Sequence, residues 1–101
     1  MIVEFSVVPL GKGESLGGLV AKVADIVDKS GLPYKFTAMG TIVEGEWDDV
    51  LALIKECHFC LKRQAARLMT TITIDDRDKA SGRIKGKVED VEAILGRHLK
   101  T

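Results

Sequence analysis

YKFTAMGTIVEG, residues Tyr34–Gly45, lies between two segments of helical periodicity and reads as a β-hairpin. Tyr, Phe, Thr, Ile and Val favour extended backbone, and a glycine near the middle offers a turn. If Met39-Gly40 is a two-residue turn, Ala38 faces Thr41, Thr37 faces Ile42, Phe36 faces Val43 and Lys35 faces Glu44. A hairpin flanked by helices on both sides constrains the topology strongly. Two helices separated by a hairpin fit a split β-α-β plan.

The flanks supply the rest. Before the hairpin, Leu16–Ser30 carries Leu19, Val20, Val23, Ile26 and Val27 at three- and four-residue steps, the stripe of an amphipathic helix. Ser15 suits its N-cap, Gly31 its end, and Pro33 prevents resumption. After the hairpin, Glu46–Lys62 repeats the pattern with Val50, Leu53, Ile54, Cys57 and Leu61. Asp48 and Asp49 suit the positive end of that helix. The outermost segments, Met1–Pro9 and Arg67–Asp76, are β-rich, and the second alternates strictly. Leu68, Thr70, Ile72 and Ile74 take one side, with Met69, Thr71, Thr73 and Asp75 on the other. Asp76–Lys87 reads as a charged, mobile surface loop, and Val88–Leu99 as a last helix with Val88, Val91, Ile94, Leu95 and Leu99 on one side.

The order β-α-β-β-α-β is the split β-α-β, or ferredoxin-like, α+β plan, here with an additional C-terminal helix. An antiparallel sheet carries both main helices on one face. Val3, Phe5, Val7, Phe36, Val43, Leu68, Ile72 and Ile74 point at the helices. The other face shows Glu4, Ser6, Lys35, Thr37, Ile42, Glu44, Met69, Thr71 and Thr73. That face is too rich in hydroxyls for a core and too poor in charge for a fully wet surface. Either threonine is there simply as a good strand former and the face is wet, or another subunit or a small polar ligand covers it, and a cover is the expectation.

Composition narrows the function. One domain over residues 1–101 fits the length. The 46% apolar share excludes a disordered chain. Fifteen Lys and Arg balance fifteen Asp and Glu, which argues against a nucleic-acid or membrane-surface binder. No basic segment precedes the first apolar stretch and no run approaches the ~20 residues of a membrane span. Two cysteines suggest a reducing compartment, so a cytoplasmic location is expected.

Few residues point to chemistry. Cys57-His58-Phe59-Cys60 has redox spacing but sits late in a helix, where the dipole disfavours a thiolate, so Cys57 reads as a small core residue. A zinc site needs about four ligands and no second cysteine pair exists. His58 and His98 read as surface residues. Gly11-Lys12-Gly13-Glu14-Ser15 lacks phosphate-loop spacing. Met39-Gly40-Thr41 with Glu44-Gly45-Glu46-Trp47 is richer. Glu44 and Glu46 suit a cationic ligand, and Met39 or Trp47 suits a flat ring. The plain structural alternative pairs Glu44 with Lys35 and packs Trp47 in the core.

The stretches SVVPLG (Ser6–Gly11), LPYKFTAMGTIVEGEWDDVLALIKECHF (Leu32–Phe59) and TTITIDDR (Thr70–Arg77) resemble the small thiamine-binding-protein domain family. The resemblance implies a ferredoxin-like domain forming homotetramers as a pair of dimers. It implies non-catalytic binding of thiamine or its hydroxymethylpyrimidine part, in salvage, transport or carriage, with no cofactor and no metal. The ligand positions it implies are Ser6, Thr37, Met39, Gly40 and Thr41, with Glu44 and Glu46 close by. Hydroxyls can donate to and accept from an aminopyrimidine, and a glutamate can accept from its amino group. No Arg or Lys cluster occurs among these positions, so thiamine is expected to bind better than its diphosphate. The competing readings are a small enzyme using Glu44 or Glu46 as base, or a ligand-sensing assembly module using the same pocket.

Overall fold

The computed structural model describes residues 1–11, 16–78 and 81–101; Ser15, the expected cap, lies outside them. The elements are β1 (Ile2–Leu10), α1 (Leu16–Lys29), β2 (Tyr34–Phe36), β3 (Thr41–Glu44), α2 (Trp47–Lys62), β4 (Arg67–Asp75) and α3 (Arg83–Leu95). The four strands form one antiparallel sheet in the order β2-β3-β1-β4. This is the expected ferredoxin-like α+β architecture with an added C-terminal helix.

The core lies between the sheet and the helix pair α1–α2. Val3 and Phe5 from β1 and Val43 from β3 meet Leu19, Val23 and Val27 from α1 and Val50, Leu53, Ile54, Cys57 and Leu61 from α2. Each of these side chains stands on the face that its periodicity dictates. Gly45 is needed where β3 turns into α2, because a Cβ there would stand 3.2 Å from Val50 Cγ2 and 3.3 Å from Leu32 Cδ2.

The hairpin differs from expectation in register. Phe36 pairs with Thr41, Lys35 with Ile42 and Tyr34 with Val43. The turn therefore spans Thr37–Gly40 rather than two residues, and Lys35 does not oppose Glu44. Thr37 explains the longer turn. Its backbone N–H and hydroxyl both donate to Gly40 O (2.9 and 2.7 Å), and Oγ1 accepts from the amides of Met39 and Gly40 (3.2 Å each). A threonine side chain thus does locally what an Asn-Gly turn does through backbone alone. The shift is by two residues, so every side chain keeps its face.

Three further expectations are corrected. The last helix starts at Arg83, inside the segment read as a loop, and ends at Leu95, where Gly96 takes a left-handed conformation (φ 72°). Trp47 opens α2 one turn ahead of its first buried residue and remains 54% exposed. His58 is half-buried, not a surface group, and shares a hydrogen bond between Nδ1 and Thr70 Oγ1 at 2.6 Å.

Candidate functional site

Strand register arranges the second sheet face in transverse rows. Lys35, Ile42, Glu4 and Thr73 form one row across all four strands. The next row is Glu44, Ile2 and Asp75. In the other direction along β1 come Ser6 beside Thr71, Val8 beside Met69 and Leu10 beside Arg67. Paired residues of antiparallel strands share a face, so these rows are one surface.

α3 stands beside β3 over part of the first two rows: Glu44 is buried and Ile2 and Ile42 half-buried, while Glu4, Lys35, Thr73 and Asp75 stay exposed. Its N-cap, Gly82, has a left-handed backbone and no side chain to offer the free amides of the first turn. Glu44 supplies the missing acceptor from 39 residues upstream. Its Oε1 accepts from the backbone amides of Arg83 (2.9 Å) and Ile84 (3.3 Å). A carboxylate at a helix N-terminus combines a charge-assisted hydrogen bond with a favourable dipole interaction, together about 1–2 kcal/mol. The contact leaves Glu44 only 8% exposed and fixes where α3 starts. Part of the face expected to carry a subunit or a ligand is therefore overlain by the chain's own last helix.

Between α3 and the sheet is a cleft of about 540 Å³. Its apolar walls are Ile42 from the sheet and Ile84, Val88 and Val91 from α3, and its polar groups include Glu4, Lys35, Thr73 and Asp75. Such a mixture, flat apolar walls with a few convergent polar groups, suits a small heteroaromatic ligand, and the volume falls in the usual range for one. A second cleft of about 630 Å³ lies at the start of α3, where Glu44, Glu46 and Asp49 meet Leu32, Tyr34 and Ile84.

The residues singled out from sequence are distributed over these features. Glu44 and Glu46 share the second cleft. Gly40 abuts β1, because a Cβ there would stand 3.0 Å from Phe5 O and 3.5 Å from Glu4 Cγ. Ser6 lies on the same sheet face as Glu4, one row beyond the cover of α3. Thr37 forms the turn, Met39 at its tip is 85% exposed, and Thr41 is buried on the helix side opposite Phe5. Sequence reasoning did not single out Thr73, Asp75, Val88 or Val91 as site residues. Strand alternation already put Thr73 and Glu4 on one face, but only the Glu44 contact shows which helix meets them.

Cys57 is fully buried and burial pushes its thiol pKa up to about 12, which keeps it protonated and unreactive. Cys60 is a free thiol too. Among the described residues no cluster of His, Cys, Asp and Glu is placed to hold a metal ion, and no helix is long and apolar enough to cross a membrane.

Fold and site together define a ferredoxin-like domain in which a terminal helix overlies part of the free sheet face beside a mixed polar and apolar cleft. The chain belongs to the thiamine-binding-protein family, whose model matches residues 3–92. It is 36% identical over 96 residues to a UPF0045 protein of Mycobacterium bovis, covering 94% of each chain. The structure of a Methanocaldococcus jannaschii protein superposes with a TM-score of 0.81 at 32% identity, covering 89% of this chain and 93% of that one. A Bacillus cereus domain of unknown function matches at 34% identity with a TM-score of 0.75, covering 86% and 85%.

Proposed function

We propose that this chain is a non-catalytic carrier of thiamine or of its hydroxymethylpyrimidine part, and that the cleft between the sheet and α3 is where the ligand lodges. Membership of a thiamine-binding family supports the ligand class. The observation that carries the location is that the row Ile42–Glu4–Thr73 lines one cleft with Val88 and Val91 of α3. A carboxylate beside a hydroxyl answers the amino group and ring nitrogen of an aminopyrimidine, while Ile42, Val88 and Val91 take its faces. Asp75, one row along, suits the positive thiazolium. Glu44 serves by anchoring the roof, Thr37 and Gly40 by framing the turn beside Glu4, and Ser6 by extending the polar face. None of the seven residues singled out from the sequence lines this cleft directly, and the contribution of Met39, Thr41 and Glu46 is tested separately by alanine substitution.

The same reading includes a cytoplasmic carrier that assembles as a homotetramer, a pair of dimers. β4 supports it, being a nine-residue edge strand with an unpaired side. So do Val8 and Met69, neighbours on the open half of the sheet face, 42% and 53% exposed. Native mass spectrometry of freshly purified protein reads subunit number and retained ligand together. Isothermal titration tests the cleft. Thiamine and the free pyrimidine should both bind, and Glu4→Gln should weaken both by about tenfold, the worth of one charged hydrogen bond. Unchanged affinity in Glu4→Gln contradicts the proposed location, and turnover of the ligand contradicts the non-catalytic role.

A further inference from the structure

Next to the cleft is a smaller cavity of about 110 Å³ lined by Met1, Ile2, Glu44, Asp75, Arg77, Arg83 and Lys87. The two share Ile2, Asp75, Arg83 and Lys87 in their walls, so they adjoin one another. The cavity has several times the ~30 Å³ that one water occupies in the liquid, room for a tetrahedral anion. Its cations converge from two elements: Arg77 just past β4, and Arg83 and Lys87 one turn apart on α3. Two carboxylates stand against these three cations. Glu44 is already engaged by the amides of Arg83 and Ile84, and Asp75 belongs to the row beside the cleft. Arg83 gives Nη2 to Asp90 at 3.2 Å, and a guanidinium retains further N–H donors beyond that bond.

We infer that this cavity is a phosphate subsite, so that the ligand the chain prefers is a phosphate or diphosphate ester, its ring in the main cleft and its anionic tail between Arg77, Arg83 and Lys87. The inference rests on the proposed placement of the ring under α3. Spacing agrees with it. Thr73 and Asp75 stand about 7 Å apart along β4, and Arg77 follows two residues on, just past the end of the strand. They offer in order a hydroxyl for the pyrimidine, a carboxylate for the thiazolium and a guanidinium for the ester. The preference anticipated from the hairpin residues alone is thereby reversed, because the cations come from α3 and the segment after β4.

The test compares thiamine, thiamine monophosphate and thiamine diphosphate by isothermal titration with the full chain. The esters should bind at least about tenfold more tightly than thiamine, an advantage that shrinks as salt rises. In the double variant R77A/K87A the ratio should fall to about one, and Lys87→Arg alone should retain the preference. Thiamine binding with no ester preference overturns the subsite and leaves the thiamine reading standing. If neither thiamine nor its esters bind, the thiamine reading fails, and inorganic pyrophosphate decides the subsite. Amide shifts at Ile2, Asp75 and Lys87 on adding pyrophosphate support it, and their absence overturns it.

Discussion

The two faces of this sheet are covered by helices in very different ways. On one face α1 and α2 bury Val3, Phe5, Val27, Val43, Val50, Cys57 and Leu61 to within 1% exposure. On the other, α3 buries none of its own residues, leaves Ile94 84% exposed, and is anchored at its start by one glutamate. The first face is a close-packed interior in which apolar burial sets the stability. The second is a lid over a cleft. A weakly packed helix opens locally at far lower free energy than the core, which suits an element that must admit a ligand. The core that sets folding and the cleft proposed for binding thus lie on opposite sides of a single layer.

Substitutions sharpen the contrast. Phe5→Ala removes a fully buried ring from the close-packed side and should cost about 3–5 kcal/mol in urea unfolding, affecting the whole domain. Glu44→Ala should cost about 1–2 kcal/mol, and the loss should be local. Hydrogen exchange would show faster exchange across 83–95 with the amides of α1 and α2 unchanged. Glu44→Gln, which keeps an acceptor for those amides, should show a smaller change. Slowed or unaltered exchange in α3 after Glu44→Ala would mean that the helix is held by something other than this carboxylate. The smallest effect belongs to the open half of the face. Met69→Ser should change monomer stability by no more than about 0.5 kcal/mol and lower the association state, read by sedimentation.

How much of this was legible beforehand follows the range of the interactions. Element order, the division of β1 and β4 between faces and the core of α2 come from periodicity, which the sequence carries locally. The turn register was missed because Thr37 replaces a backbone motif by a side-chain one, a choice that many sequences could make. The start of α3 was missed because its cap is not adjacent. Gly82 gives no local signal, and the acceptor, Glu44, reads as a ligand group from its place in the hairpin. The same long-range contact hid the cleft, since its walls come from residues some forty positions apart. The basic cavity was hidden for a related reason. Arg77, Arg83 and Lys87 stand in a stretch whose charge looked merely solvated until the helix folded back beside Asp75.

The account depends on a ligand lying between the sheet and α3, and amide chemical-shift mapping during a thiamine titration addresses this most directly. The predicted result is a set of perturbed residues centred on Glu4, Ile42, Thr73, Asp75, Val88 and Val91. Perturbations centred instead on Leu32, Glu46 and Asp49, or an unchanged spectrum at saturating thiamine, would contradict it.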